Sequence, residues 1–190
     1  MTAIPEAYFS LPAADVLQRA AKVRLLVLDV DGVLTDGHIY MGPQGELQKA
    51  FHIHDGLGIS MLRRRGIEVA LLTARRSDIV QRRAEELGLL HVRQGRDAKW
   101  PALQGLLQQL QLAPEQVAYM GDDLIDLPVL PRVGLAPTAA ARPPGGRLRV
   151  AREFRCARRR LFLRFLLCRW RLRRRGRGAG VAARSDGRRV

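Results

Sequence analysis

The chain has 190 residues, which is enough for one ordinary domain with a full hydrophobic core. Its formal net charge of +15 is unevenly distributed: residues 1–136 carry 15 basic and 16 acidic side chains, whereas residues 137–190 carry 18 arginines and 2 acidic residues. Two cysteines, Cys156 and Cys168, give neither a disulfide framework nor the spacing of a zinc site. Because no apolar run reaches membrane-spanning length and the N-terminus lacks signal-peptide order, we expect a cytoplasmic protein.

Short apolar runs that end in polar residues alternate with helical patterns along the first 136 residues. The predicted strands are 24–29, 67–73 and 116–122, with weaker candidates at 89–95 and 133–136. The predicted helices are 56–65, 77–87 and 98–111, the second of them capped by Ser77. Because strands that alternate with helices join through right-handed crossovers, the pattern predicts an α/β fold with a doubly wound parallel sheet.

One segment, residues 37–53, interrupts this alternation. It carries two strand-like arms around the turn sequence GPQG, which predicts a β-hairpin inserted directly after the first strand. An insertion at this point lies over the carboxyl ends of the strands, where α/β proteins place their sites.

Polar residues follow the predicted strands at the points where they end. They are Asp29, Asp31 and Asp36 after the first strand, Thr73 and Arg75 after the second, Lys99 after the third, and Asp122, Asp123 and Asp126 after the fourth. Each group alone fits an ordinary turn or a solvated surface. Four groups at successive strand ends instead favour one site at a single sheet edge, with Asp36, Asp123 and Asp126 as turn, capping or supporting residues.

These residue types suit phosphoryl transfer with Mg²⁺, a cation that prefers oxygen ligands. Asp29 and Asp122 would supply two carboxylates, and a carbonyl near Asp31 a third oxygen. A carboxylate can attack phosphorus, and a second acid two residues along an extended chain faces the same side and can exchange protons with the leaving group and water. Lys99 would neutralise phosphoryl oxygens, and Thr73 would donate a hydrogen bond to them.

The same motifs resemble those of the haloacid dehalogenase superfamily of phosphatases. They are DVDGVLTDG (29–37), LLTAR (71–75), Lys99 within GRDAKW (95–100) and GDDLIDLP (121–128). By this resemblance Asp29 is the nucleophile and Asp31 the general acid and base. It also implies that Mg²⁺ is held by Asp29, the carbonyl of Asp31, and Asp122.

Within the superfamily, the hairpin and the stretches FHIHDGLGI (51–59) and YMGDDLIDLPVL (119–130) resemble the branch that hydrolyses 3-deoxy-D-manno-octulosonate 8-phosphate in lipopolysaccharide synthesis. The resemblance implies a core without a cap domain, and a homotetramer in which a neighbour's hairpin and C-terminal tail cover the site. The implied substrate-binding positions are Asp31, His52, Ser60, Met61, Leu62, Arg63, Arg64, Arg75, Arg83 and Lys99.

Several alternatives remain open at this point. Arg75 and Arg83 are also compatible with solvated helix charges, and His52 with packing at the base of the hairpin. The substrate can be another sugar phosphate or a sialic-acid phosphate. A catalytically weak binding or regulatory protein with a basic, nucleic-acid-binding tail is the alternative from another class, and the presence of both Asp29 and Asp31 favours the enzyme.

Residues 137–190 are rich in Arg, Ala, Gly and Pro and differ from the corresponding part of the resembling family. They fit a basic tail that binds nucleic acid or an anionic membrane surface, or a solvated disordered extension. We favour a third interpretation, a shift of reading frame near residue 141. These residue types have G/C-rich codons, and Arg142-Pro143-Pro144 read one nucleotide later permits the family's Ala-His-Pro.

Overall fold

The computed structural model describes residues 14–136, so the predictions for residues 137–190 lie outside the described part of the chain. Within residues 14–136, no helix combines the length and apolar character needed to cross a bilayer. The helices are α1 (Ala14–Lys22), α2 (Ile53–Arg63), α3 (Asp78–Glu86) and α4 (Lys99–Leu110). The strands are β1 (Leu25–Leu28), β2 (Tyr40–Gly42), β3 (Gly45–Gln48), β4 (Glu68–Leu72), β5 (His91–Arg93) and β6 (Val117–Met120).

Four of these strands form a parallel sheet in the order β5-β4-β1-β6. This arrangement confirms the predicted parallel α/β fold, and each of its strands lies within a run predicted from the sequence. The candidate at 133–136 forms no strand of its own, but Leu135 adds one parallel bridge to Ala118. All four carboxyl ends meet at one edge because the strands are parallel.

The strands are apolar on both sides because helices cover both faces of the sheet. In β1, Leu26 and Leu28 pack with buried residues of α2 and α3, whereas Leu25 and Val27 pack with buried residues of α4. The sequence predicts α2, α3 and α4, and Ser77 caps α3 by accepting from the Val80 N–H. It does not predict α1, whose mostly polar sequence gives only a weak apolar signal.

An antiparallel pair, β2 and β3, lies between β1 and α2 in the chain. Glu46 of β3 lies 3.9 Å from Arg75, which follows β4. Gly42 pairs with Gly45 at the turn of this hairpin, and a bridge between Thr35 and Phe51 closes its base. Lys49 directly follows β3, so the hairpin returns a basic side chain toward the loop after β1.

Candidate active site

Asp29 lies immediately after β1, and its side chain is only 6% exposed. Its Oδ1 atom accepts a hydrogen bond from the Val30 N–H at 2.7 Å and lies 3.0 Å from Nζ of Lys99. Burial raises the pKa of Asp29 to about 6, an effect that Lys99 opposes and Asp126 strengthens. The carboxylate is therefore desolvated and held next to the ammonium group of Lys99, which is the environment of a reactive group.

Lys99, at the start of α4, is fully buried and lies between two carboxylates. Its Nζ atom is 2.7 Å from Oδ1 of Asp126 and 3.0 Å from Oδ1 of Asp29. The same Asp126 oxygen accepts the phenol hydrogen of Tyr119 at 2.5 Å, and Oδ2 accepts the N–H of Asp123 at 3.0 Å. Asp126 thus fixes the lysine through hydrogen bonds that hold both of its own oxygens.

Three acids at this edge are close enough to share a metal ion. Asp29, Asp122 and Asp126 each offer a carboxylate oxygen, and these atoms lie within 4.8 Å of one another. Gly32, in the loop after β1, has a left-handed φ of +85°, and a Cβ atom there would lie 2.3 Å from Oδ2 of Asp122. The loop can approach Asp122 this closely only with glycine. An all-oxygen set of this kind fits Mg²⁺. Asp126 already has both of its oxygens in hydrogen bonds within the protein.

Thr73 follows β4 and is buried at the same edge. Its N–H donates to the carbonyl of Arg93 at 3.0 Å, and its carbonyl accepts from the N–H of Arg96 at 3.1 Å. Its Oγ1 atom accepts the N–H of Arg75 at 3.3 Å, which leaves the hydroxyl hydrogen available to another acceptor. The backbone therefore fixes the hydroxyl in place.

The prediction that Asp29 and Asp31 lie on one side of an extended chain is wrong. The chain turns directly after Asp29, because the N–H groups of Val33, Leu34 and Thr35 all donate to the Val30 carbonyl. Asp31 therefore lies within a turn and faces the hairpin, where its Oδ1 atom is 2.5 Å from Nζ of Lys49. The turn, rather than strand alternation, places the two aspartates.

A second charged cluster surrounds Asp31. Nζ of Lys49 also lies 2.8 Å from Oε1 of Glu46, and the Ser77 hydroxyl donates to Oε2 of Glu46. Arg75 is 44% exposed, with Nε 3.8 Å from Oδ2 of Asp31 and a terminal nitrogen 3.9 Å from Oε1 of Glu46. Of the predicted substrate-binding residues, Arg75 is thus brought next to Asp31.

The other predicted substrate-binding positions lie on α2 and α3 and mostly have local partners in the structure. His52 caps α2 through Nδ1, which accepts the His54 N–H, and the Ser60 hydroxyl donates to the Gly56 carbonyl. Of the other predicted residues, Met61 and Arg64 are exposed and Leu62 is buried in the core. Arg63 donates a hydrogen bond to the Leu87 carbonyl, and Arg83 pairs with Glu86 and lies over the Phe51 ring.

Two acids of the predicted site have local roles. Asp36 accepts the N–H of His38 and the hydroxyl of Tyr40, both at 3.0 Å, and the backbone hydrogen bond lowers its pKa. Asp123 accepts the N–H of Leu124 at the start of a short 3₁₀ turn. These contacts agree with turn and capping functions.

Sequence reasoning missed Lys49, Glu46 and Tyr119. Tyr119 lies within an apolar strand run, where a tyrosine is ordinarily a packing residue. The sequence does distinguish Lys49, since it is one of only three lysines among 33 basic residues. Its position on the hairpin, over the strand ends, is the feature that could have marked it.

Comparison with known proteins places this arrangement among hydrolases. Residues 57–134 match the family model of haloacid dehalogenase-like hydrolases. The chain is 50% identical over 143 residues to 3-deoxy-D-manno-octulosonate 8-phosphate phosphatase KdsC of Yersinia pestis. The matched region covers 75% of this chain and 76% of that protein.

Solved structures give the same result. The crystal structure of the Yersinia pestis phosphatase has a TM-score of 0.74 at 43% identity, covering 91% of this chain and 96% of that chain. The structure of the Moraxella catarrhalis phosphatase in complex with magnesium, phosphate and KDO has a TM-score of 0.63 at 42% identity. The match covers 65% of this chain and 71% of that chain. The chain therefore belongs to the haloacid dehalogenase-like hydrolases, in the family of the 3-deoxy-D-manno-octulosonate 8-phosphate phosphatases.

Proposed function

We propose that this protein is a Mg²⁺-dependent phosphatase that hydrolyses 3-deoxy-D-manno-octulosonate 8-phosphate in lipopolysaccharide biosynthesis. The observation that carries the proposal is the buried Asp29 carboxylate. Its Oδ1 atom lies 3.0 Å from Nζ of Lys99, and one of its oxygens lies within 4.8 Å of a carboxylate oxygen of Asp122. The 50% identity to the Yersinia pestis phosphatase supports the substrate.

In the first step, an Asp29 carboxylate oxygen attacks the phosphorus atom. A new P–O bond forms to Asp29, and the bond between phosphorus and the sugar oxygen breaks. Asp31 gives its proton to that oxygen, so that the product leaves as an alcohol. Lys99 balances the charge of Asp29 before the attack and that of the phosphoryl oxygens afterwards, and the Thr73 hydroxyl donates to one of those oxygens.

In the second step, water attacks the same phosphorus atom. Asp31, now ionised, takes a proton from the water, and the bond from phosphorus to Asp29 breaks. Orthophosphate leaves, Asp29 returns as a carboxylate, and Asp31 is protonated again. Both steps use the same two aspartates, so loss of either stops the cycle.

Mg²⁺ in this proposal is held by Asp29, Asp122 and the carbonyl of Asp31. When bound, it offsets the repulsion between the carboxylates and the phosphate and polarises the phosphoryl group. The close approach of Gly32 to Asp122 supports this set, since it brings the loop after β1 next to the second carboxylate. Both oxygens of Asp126 already accept hydrogen bonds, from Lys99 and from the N–H of Asp123. We therefore assign Asp126 to holding Lys99 in place and not to binding the metal.

The substrate carries a carboxylate as well as a phosphate, and the basic side chain near Asp31 suits it. Arg75 is half-exposed beside Asp31 in the same protomer. We place the substrate phosphate against Asp29, Lys99 and Thr73, and the sugar acid on the Arg75 side. The rim of the site in the assembled protein is formed by His52, Ser60, Met61, Arg63, Arg64 and Arg83. Leu62 is buried in the core and is not part of this rim.

Residues 1–136 form the catalytic core in this proposal, with the hairpin of residues 37–53 in place of a cap domain. We infer a homotetramer, because the hairpin and α2 expose a set of large apolar side chains that association would bury. They are Ile39, Met41, Leu47, Ile53, Leu57 and Met61. A cytoplasmic location suits a phosphorylated biosynthetic substrate.

The experiment is phosphate release from a panel of substrates with Mg²⁺, comparing wild type with Asp29→Asn. The panel contains the 8-phosphate, other sugar phosphates and a sialic-acid phosphate. We expect the 8-phosphate to give the largest kcat/KM and the variant to release no phosphate above background. The intermediate is checked by acid-quenching the wild type during turnover and locating the phosphoryl group by peptide mass spectrometry.

Each contrary result has a distinct meaning. Equal release by wild type and Asp29→Asn rejects the nucleophile. A larger kcat/KM for a different sugar phosphate keeps the chemistry and replaces the substrate. No release from any substrate rejects the enzyme and favours a binding or regulatory protein.

A further inference from the structure

Lys49 is a shielded cation that the proposed cycle does not use. Its side chain is only 1% exposed, and its Nζ atom lies 2.5 Å from Oδ1 of Asp31 and 2.8 Å from Oε1 of Glu46. Burial would lower the pKa of Lys49, but the hydrogen bonds to Asp31 and Glu46 raise it above its ordinary value. The ammonium group is therefore enclosed between two carboxylates.

Glu46 anchors this lysine to the rest of the fold. Burial would raise the pKa of Glu46, but its hydrogen bonds with Lys49 and Ser77 lower it, so the carboxylate stays ionised. Ser77 is at once the N-cap of α3, where its hydroxyl oxygen accepts the Val80 N–H. A continuous chain of contacts thus runs from α3 through Ser77, Glu46 and Lys49 to Asp31.

The contact of Lys49 with Asp31 is made through Oδ1. An ammonium group only donates hydrogen bonds, so Oδ1 of Asp31 must act as an acceptor toward it. The other oxygen, Oδ2, lies on the side of Arg75, 3.8 Å from its Nε. A proton carried by Asp31 therefore sits on Oδ2, on the side where we place the sugar.

We propose that Lys49 is the positioning residue for Asp31: it holds Oδ1 so that Oδ2 exchanges the proton with the leaving oxygen and with the attacking water. This inference rests on the proposed function, and it makes the hairpin part of the catalytic apparatus of its own protomer. Lys49 does not touch the phosphoryl group. Its loss acts only on the steps that need Asp31.

Leaving-group chemistry separates those steps. A p-nitrophenolate leaving group departs without a proton, whereas an alkoxide needs one. In Lys49→Met, attack of Asp29 on p-nitrophenyl phosphate is retained and gives a burst of about one p-nitrophenolate per site. Hydrolysis of the aspartyl-phosphate, which needs Asp31 as a base, slows about ten- to a hundredfold.

The experiment is rapid-mixing kinetics of wild type, Lys49→Met, Lys49→Arg and Lys22→Met with Mg²⁺, using p-nitrophenyl phosphate and an alkyl phosphate. Lys22 is exposed on α1, so its variant controls for loss of a lysine charge. We expect a burst with slow turnover in Lys49→Met on the aryl phosphate, and no burst on the alkyl phosphate. Lys49→Arg keeps a cation and recovers part of the turnover.

If Lys49 only stabilises the fold, its loss leaves fewer folded active sites. The burst amplitude and the steady-state rate then fall together, and their ratio stays the same. An unchanged ratio of burst to steady rate in Lys49→Met and Lys49→Arg overturns the inference while leaving the phosphatase intact. If Lys49→Met does not fold, Lys49→Arg alone decides by the same ratio. An inactive wild type instead removes the proposed function, and this inference with it.

Discussion

At the residue scale, the acids of the site differ in their surroundings, and these differences separate their chemistry. Asp29 is buried beside Lys99, Asp31 is 26% exposed and bonded to Lys49, and Asp126 is fully buried with both oxygens engaged. A buried carboxylate with a high pKa is poised to react or to bind a cation, whereas one whose two oxygens both accept hydrogen bonds is held in one orientation.

The raised pKa of Asp29 predicts how metal-free protein depends on pH. Its pKa is 3.8 unfolded and about 6 folded, so the native state loses about 3 kcal/mol of stability as pH rises from below 3.8 to above 6. Asp29→Asn removes this cost, and we expect it to raise the Tm at pH 7.5 without metal. Thermal unfolding with a chelator measures the difference.

The same experiment at pH 4 is its control, because Asp29 is then largely protonated in the folded protein and the Tm advantage of the variant shrinks. Added Mg²⁺ should raise the Tm of wild type and not of Asp29→Asn. A variant less stable than wild type at both pH values would contradict the desolvation argument.

Tyr119 predicts a second residue-scale effect. Tyr119→Phe removes the hydrogen bond to Asp126, a loss of about 1–2 kcal/mol in unfolding free energy. It also loosens Lys99, so kcat should fall several-fold. Denaturant unfolding and steady-state kinetics measure both effects.

Tyr40→Phe is the matched control. It removes a tyrosine hydrogen bond to Asp36 on the partly exposed hairpin, away from Lys99. A kcat as low in Tyr40→Phe as in Tyr119→Phe would show that the buried link to Asp126 has no particular part in holding the lysine.

At the scale of elements, the loop after β1 brings the chain against the end of β6. Thr35 stabilises it, since its Oγ1 atom accepts the N–H groups of Gly32 and Gly37 at 3.2 and 3.3 Å. Gly32 then lies against Asp122 in a left-handed conformation. The loop conformation and the position of the second carboxylate are therefore coupled.

Gly32→Ala tests this coupling. Its Cβ atom would lie 2.3 Å from Oδ2 of Asp122, so the carboxylate must move and Mg²⁺ affinity should fall at least tenfold. Gly66 is the control, because it has φ +73° and no atom within 4 Å of a Cβ. Both variants should lose about 1 kcal/mol from backbone strain, and only Gly32→Ala should lose metal affinity by calorimetric titration.

Elements with a clear period were predictable, and contacts between distant elements were not. The runs that became β1, β4 and β6 are largely apolar, and Ser77 marks the start of α3, so the local pattern sufficed. The turn after Asp29 follows from backbone hydrogen bonds to Val30, which residue spacing does not reveal. The pairing of Lys49 with Asp31 spans 18 residues and depends on where the hairpin folds back.

At the scale of the whole molecule, residues 14–136 bring Asp29, Thr73, Lys99 and Asp122 to one sheet edge, and apolar side chains are exposed elsewhere on the surface. The hairpin and α2 expose large side chains, including Leu47 and Ile53, at 67% and 77%. Such a surface suits association of protomers. The composition of the chain changes abruptly after residue 136, since residues 1–136 have a net charge of −1 and residues 137–190 a net charge of +16.

The frame-shift hypothesis predicts the behaviour of the chain as written. The catalytic residues all precede residue 137, so phosphorylation of Asp29 should be retained. Arginines interspersed with apolar residues, as in RRRLFLRFLLCRWRLRRR (158–175), are poorly suited to tetramer contacts, so we expect weaker association and a higher KM. Light scattering and steady-state kinetics on the 190-residue protein, and intact mass of the protein from its own cells, measure this. A native mass of 21.3 kDa, with a clean tetramer and family-like turnover, would overturn the hypothesis.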